Sequence, residues 1–402
     1  MDRRLEGWPS RGGARRSAVV LACVASALTI GVAALPAGSA PSFAGPATYE
    51  TGLSPGFVAI GDLNGDGKPE LTTANLDAAS VSVLAGRGDG SFHARLDYAT
   101  GGLPYAIAIG DLNGDDKPDL ATANGGADSV TVLVNRGDGS FGTRFDYAVD
   151  YGPNSIAIGD LNGDDEPDLA TANLDANDVS VLANRGDGTF GVKFDYPTGN
   201  GPYSIAIGDL NADGKPDLAT ANSRQSSVSV LANTGGGSFQ AKLDYASGNG
   251  PYSIAIGDLN ADGKPELATA NADENTVSVL ANWGDGTFQP RLDYATGDLP
   301  VAVAIGDLNG DAKPELTTAN VADSVSVLTN ASGLCVVPKV TEKTLTTARR
   351  TIARTDCRVG KIRRANSRTL RKGRVISQKP RPGTVLPSRS KVGLVVSRGR
   401  VR

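Results

Sequence analysis

Asp62-Leu63-Asn64-Gly65-Asp66-Gly67-Lys68-Pro69-Glu70 is a nine-residue phrase that returns, with small changes, beginning at Asp111, Asp160, Asp209, Asp258 and Asp307. Every interval is 49 residues. Pro55, Pro104, Pro153, Pro202, Pro251 and Pro300 keep the same step, as do Tyr49, Tyr98, Tyr147, Tyr196, Tyr245 and Tyr294. Six copies in phase mean one supersecondary unit repeated six times.

Working outward through one copy, Tyr203 to Leu210 alternates Ile205 and Ile207 with the small Ala206 and Gly208, the period-2 pattern of a strand. Leu218 to Asn222 and Ser227 to Leu231 read as second and third strands, and Phe239 to Tyr245 as a fourth after the Gly235-Gly236-Gly237 turn. Four short strands in 49 residues predict a propeller blade, hence an all-β, six-bladed β-propeller over residues 42–334. The last copy lacks a fourth strand, while Ser42, Phe43 and Tyr49 align with Ser91, Phe92 and Tyr98 of the fourth-strand column. Pairing the first strand with the last blade would leave no open edge, so a one-plus-three strand exchange is expected to close the ring.

The phrase is also a ligand set. Positions 1, 3, 5 and 9 are Asp62, Asn64, Asp66 and Glu70, and the carbonyl of Lys68 at position 7 adds another oxygen. Hard oxygens in this rhythm suit calcium, and Gly67 at position 6 permits the bend round an ion. Position 12 is Thr73, not the Glu of an EF-hand, so the loop is a shorter one between strands. Three carboxylates in each loop would repel at close range without a cation.

The spacing, the four-strand unit and the Gly-Asp-Leu-Asn-Gly-Asp phrase resemble the FG-GAP and VCBS repeats of the integrin-alpha-like propeller family, over about three quarters of the chain. The resemblance implies calcium ligands at the matching positions of every copy. These are Asp111, Asn113, Asp115, Lys117 and Asp119; Asp160, Asn162, Asp164, Glu166 and Asp168; and Asp209, Asn211, Asp213, Lys215 and Asp217. The last two copies supply Asp258, Asn260, Asp262, Lys264 and Glu266, then Asp307, Asn309, Asp311, Lys313 and Glu315. The position-7 residue contributes its carbonyl throughout. Position 6 departs from glycine as Asp116, Asp165 and Ala312, which makes the loop at Asp307 the weakest site. Integrin propellers have seven blades, one more than expected here.

Charge divides the chain further. The total of −5 over 402 residues is made of +3 for residues 1–41, −26 for 42–334 and +18 for 335–402. Such asymmetry speaks to ions and partners rather than fold. With a single histidine, His93, and no GxSxG, histidine-based hydrolase schemes have almost nothing to work with, and no catalytic residue is assigned. Fifty-one Gly and 22 Pro fit a chain rich in turns.

Residues 1–40 have the layout of a secretory signal peptide: Arg3, Arg4, Arg11, Arg15 and Arg16, an Ala-rich apolar run from Ser17 to Leu35, then Pro36 and small residues to Ala40. Ala and Gly are weakly apolar, which favours cleavage over anchoring. Removal of Cys23 with this leader leaves Cys335 and Cys357, which in an oxidising setting most simply form one disulfide. Arg87-Gly88-Asp89, repeated at Arg136 and Arg185, spells a cell-adhesion tripeptide but reads as the Asp-Gly turn between the third and fourth strands.

From Cys335 no Phe, Tyr or Trp follows and the 49-residue period ends. Thr344 to Arg354 reads as a helix with Leu345, Ala348 and Ile352 on one face, and Val359 to Ile362, Val375 to Ser377 and Val392 to Val396 read as strands. Val336-Val337-Pro338-Lys339-Val340, Val375-Ile376-Ser377-Gln378 and the turn Pro380-Arg381-Pro382-Gly383 resemble a PASTA domain, expected as a small α+β unit at 335–399. That family implies peptidoglycan or another anionic wall polymer as partner. Nucleic acid is the competing polyanion, against which stand export and the lack of stacking aromatics.

The sequence as a whole predicts a secreted, wall-associated, non-enzymatic protein. Its calcium-binding propeller would serve recognition or adhesion towards an unidentified protein or glycan, and its tail would hold it to the bacterial cell wall, with no membrane contact after signal cleavage. The alternatives are a lectin-like carbohydrate-binding propeller and the accessory region of a wall-associated enzyme.

Overall fold

The computed structural model describes residues 47–330, 334–355, 357–387 and 390–399. The leader reading at 1–40 and the strand expected around Ser42 and Phe43 lie outside the described residues. The chain forms two compact units: Gly257–Glu266, Ala304–Thr317 and the described residues from Ser326 onward make the second, and the rest the first.

The repeats fold as antiparallel sheets of four strands in chain order. In the first, Pro55–Gly61, Glu70–Asn75, Ser80–Leu84 and Leu96–Ala99 lie side by side, and the next four copies repeat the order. Register is the same in each, with Leu71 opposite Leu84, Leu120 opposite Leu133 and Leu218 opposite Leu231. The second strand is buried on both faces, as in Asp217–Asn222, because neighbouring sheets cover it from either side. Close approach of those sheets needs a residue without a side chain at the end of the first strand: a Cβ on Gly110 would stand 3.2 Å from Ile158, and one on Gly159 3.2 Å from Ile207.

The expected strands are present with shifted ends. The fourth differs most: in the fourth copy it spans only Leu243–Ala246, and Phe239 belongs to a small hairpin of Asn233–Gly235 with Ser238–Phe239. Consecutive glycines at positive φ, Gly235 to Gly237, fold the chain back locally before the outer strand begins. The last copy has three strands, Pro300–Gly306, Glu315–Asn320 and Ser324–Leu328, as its sequence implies. Without a fourth strand among the described residues, Val325 is 68% and Val327 56% exposed, whereas the equivalent Val81 and Val83 are buried.

The tyrosine column packs between copies. Tyr98 meets Phe141 edge-on with ring centres 5.2 Å apart, and Tyr147 with Phe190, Tyr196 with Phe239 and Tyr245 with Phe288 repeat the contact. Tyr49 makes the same contact with Phe92 at 5.3 Å, so it stands where the outer strand of a preceding copy would stand.

The tail has its own core of Val337, Val340, Ala348, Ile352, Cys357, Val375, Val392, Leu394 and Val396. The helix is Leu345–Ala353, capped by the Thr344 hydroxyl accepting from the Thr347 N–H. Lys391–Ser397 is the middle strand of a sheet with Arg358–Ala365 parallel on one side and Val375–Lys379 antiparallel on the other. Leu334–Val336 pairs separately with Val385–Pro387.

Candidate metal centre

Each acidic loop joins the first strand of its copy to the second. Position 1 closes the bend from inside: Asp62 accepts the Gly65 N–H on Oδ1 and the Gly67 N–H on Oδ2, both at 2.8 Å. Position 3 follows, Asn64 Oδ1 accepting from Asp66, and position 5 continues, Asp66 Oδ1 accepting from Lys68, each at 2.9 Å. The loops at Asp111, Asp160 and Asp307 repeat this ladder. These carboxylates and amides are thereby held in one orientation, and several N–H groups converge on position 1: Asp111 Oδ1 accepts from Asn113, Gly114 and Asp115, and Asp160 Oδ1 from Gly163 and Asp164.

Two backbone positions carry the bend. Gly67 and Gly214 at position 6 have φ of 78° and 80°, and Asp116, Asp165 and Ala312 take the same left-handed conformation at 62°, 67° and 61°. Position 4 is also left-handed, which the sequence reading missed: Ala212 and Ala261 sit there at 61° and 60° where the other copies have glycine. The signal was visible as Gly65, Gly114, Gly163 and Gly310 in that column.

Position 9 plays a different part from the others. Glu70, Asp119, Asp168, Asp217, Glu266 and Glu315 are buried. Asp168 accepts the Leu161 N–H on Oδ2 at 3.0 Å and the Asn184 N–H on Oδ1 at 2.7 Å, and Asp119 and Asp217 do the same in their copies. Burial pushes the Asp119 and Asp168 carboxyls up to about 6, with the position-5 and position-1 carboxylates pushing the same way against the two N–H donors. Asp217 is raised for the same reasons.

Behind each loop stands an asparagine that sequence reasoning did not single out. Asn135 donates to the Leu63 carbonyl at 2.7 Å and the Pro118 carbonyl at 2.8 Å, thus joining the loop of one copy to that of the next. Asn184, Asn233 and Asn330 repeat the bridge. In the first copy the position is Gly86.

Counter-charge varies among loops. The position-7 lysine folds back on the position-5 carboxylate, Lys68 on Asp66 at 3.3 Å, Lys117 on Asp115 at 3.0 Å and Lys215 on Asp213 at 3.4 Å. The third copy has Glu166 there instead, so Asp160, Asp164, Asp165, Glu166 and Asp168 crowd nine residues. The donor set is oxygen throughout, half-exposed at positions 1 and 3 in the first four copies and bent by fixed backbone, which fits a hard divalent cation such as calcium.

Among the described residues, the acidic trio whose ligand atoms lie within 4.8 Å of one another is elsewhere, at Asp150, Asp178 and Asp195. It arises in one copy only, where Asp178 replaces a Ser or Thr and Asp150 replaces Gly. Lys193 pairs with Asp195 and stands 3.5 Å from Asp150. Asp195 belongs to a polar ladder found in the other copies too: the Thr171 hydroxyl donates to Asn173, Asn173 to Ser180, and Ser180 to Asp195 at 2.6 Å. The Arg-Gly-Asp turns are self-contained, Asp89 accepting the Ser91 N–H and hydroxyl, which hold its carboxyl below the usual range.

The FG-GAP-like repeat model matches residues 62–122, 111–171, 160–220, 209–269 and 258–317, and the PASTA domain model matches 336–398. No curated protein is similar in sequence. Among solved structures, BBS1N in complex with ARL6DN is similar at 15% identity and a TM-score of 0.50, covering 70% of this chain and 80% of its own. An Agrocybe aegerita lectin that recognises non-reducing terminal N-acetylglucosamine is similar at 20% identity and 0.49, covering 69% and 82%. Virginiamycin B lyase from Staphylococcus aureus is similar at 14% and 0.49, covering 68% and 80%. These neighbours are β-propellers, and the likeness is one of fold.

Proposed function

The chain belongs to the FG-GAP-like repeat family and ends in a PASTA domain, and from that premise we propose a secreted, calcium-stiffened, six-bladed propeller that serves recognition or adhesion while the tail holds it to the bacterial cell wall. The observation that carries the calcium reading is the repeated loop. Its side chains at positions 1, 3 and 5 are fixed by the loop's own N–H groups, and its position-9 carboxylate is buried behind them. Asp62, Asn64, Asp66, the Lys68 carbonyl and Glu70 would hold the ion, with the equivalent residues in the other five copies. Six bound calcium ions would bring the body's charge from −26 to about −14 and stabilise the native state alone.

Nothing in this reading makes the protein an enzyme; the metal is structural. Six-bladed closure is supported by Tyr49, which contacts Phe92 as an outer-strand tyrosine does, and by the uncovered third strand of the last copy. Wall attachment is supported by the PASTA match and by the tail's charge of +18. A disulfide between Cys335 and Cys357 would close a loop over the tail core in which Cys357 is buried; the Cys335 side chain lies outside the described residues.

The test is calorimetry of the full chain with calcium and with excess chelator. A thermal midpoint that falls on chelation and recovers with calcium supports the reading, and an unchanged midpoint refutes it. Co-sedimentation with purified cell wall tests the anchor, which fails if the protein stays in solution.

A further inference from the structure

The tail sheet has one face turned away from the helix, and its centre is bare. Lys391–Ser397 sends Val392, Leu394 and Val396 into the core with Ala348 and Ile352. Gly393 and Val395 therefore fall on the opposite face. Register places Lys379 beside Gly393 on one flank. On the other, a bulge between Val359 and Ile362 sets Gly360 and Lys361 against it. One step along, Val395 lies between Arg363 and Ser377. Ile362 packs on the core, so Lys361 and Arg363 take the open side. Lys361, Arg363 and Lys379 are exposed, and none forms a salt bridge among the described residues.

A strip of backbone with no side chain at Gly393, flanked by cations about 10 Å apart across three strands, is a track for a linear polyanion. Building on the wall-attachment reading of the tail, we propose that this face binds a phosphodiester-linked polymer lacking bases. A phosphodiester points its two free oxygens to opposite sides of the chain axis, so Arg363 or Lys361 can hold one while Lys379 holds the other. A single carboxylate at the tip of a side chain lies off the axis of its polymer and turns both oxygens the same way, so it reaches one flank at a time. On this face Arg363 presents a fork that can pair bidentately with a phosphate, and Lys361 and Lys379 present point charges on either flank. With no Phe, Tyr or Trp from Cys335 onward, the face offers nothing for a base to stack on.

The full-length protein is titrated by fluorescence anisotropy with poly(glycerol phosphate), with poly-L-glutamate of equal charge and with single-stranded DNA. The face variant K361Q/R363Q/K379Q is compared with K-free controls on the helix side, R349Q/R350Q/R354Q, which remove the same charge. We expect poly(glycerol phosphate) to bind most tightly, the face variant to lose about 10-fold or more, and the helix variant less than about 3-fold. Equal losses in the two variants, equal binding of poly-L-glutamate, or tighter binding of DNA would overturn the proposal. Cell wall stripped of phosphate polymer separates the two readings. Undiminished retention on stripped wall upholds the anchor and sinks this proposal; polymer binding without wall retention does the reverse.

Discussion

Asn184 Nδ2 lies 2.9 Å from the backbone oxygen of Leu112, 72 residues earlier in the chain. The same nitrogen donates to the Pro167 carbonyl, and Asn184 Oδ1 accepts the Gly186 N–H at 3.0 Å. One buried amide therefore holds together the acidic loops of two successive copies.

Asn184→Ala leaves the Leu112 and Pro167 carbonyls without that donor in a buried setting. A loss of roughly 2–4 kcal/mol is expected, since an unsatisfied buried group costs about 1–3 kcal/mol. Urea denaturation measures it, and a change below about 0.5 kcal/mol would show the bridge to be dispensable.

The third loop concentrates the most negative charge, because Glu166 stands where other copies have lysine. Glu166→Lys supplies an ammonium for Asp164. The variant is expected to lose less of its thermal midpoint on chelation than the parent protein does. An equal or larger drop would count against cation binding at this loop.

Ala312 holds a left-handed φ of 61° at position 6. Left-handed backbone costs a residue with a Cβ about 1–2 kcal/mol relative to glycine, partly offset by glycine's freedom when unfolded. Ala312→Gly should therefore raise stability by about 0.5–1 kcal/mol. Ala312→Val, measured alongside it, should lower stability; identical midpoints for all three proteins would refute the strain.

Burial pushes the Asp178 carboxyl up to about 6, and Asp150 and Asp195 push the same way against the Asn173 hydrogen bond and Lys193. The native state thus binds this proton more tightly than the unfolded chain does. No penalty exists below the unfolded value near 3.8; it grows as pH rises and is complete above about 6. Asp178→Ser installs the residue found at Ser80, Ser129 and Ser227. It should gain roughly 1–2 kcal/mol at pH 8 and little at pH 3.5, after allowance for solvent screening. Urea midpoints at the two pH values check it, and a gain independent of pH would rule out this cause.

Tyr49 and Phe92 are in edge-on contact. If residues 42–48 complete the last blade, a variant lacking them should melt at a lower temperature than Tyr49→Ala, which removes only the ring contact, worth about 0.5–1.5 kcal/mol beyond burial. Equal midpoints would exclude the strand exchange.

Much of this protein could be read along the chain because its information is periodic and local. A 49-residue step, alternating Ile205 and Ile207, and oxygen donors at positions 1, 3, 5 and 9 of Asp62 to Glu70 need no distant partner to be recognised. Strand ends were harder: the glycines after Asn233 turn the chain before Phe239 reaches the outer strand, and a local hairpin competes there with the sheet.

The repeat, the four-strand unit, the acidic bends and the change of charge at Cys335 are legible along the chain alone, since each depends on residues close together in it. Folding in three dimensions is what buries position 9 and brings N–H groups to it from two places. Folding likewise lets Asn184 reach across 72 residues, brings Asp178 to Asp150 and Asp195, and leaves Gly393 bare between two cationic strands. Those relations depend on which sheets and strands become neighbours, and burial then sets the cost of leaving a polar group alone.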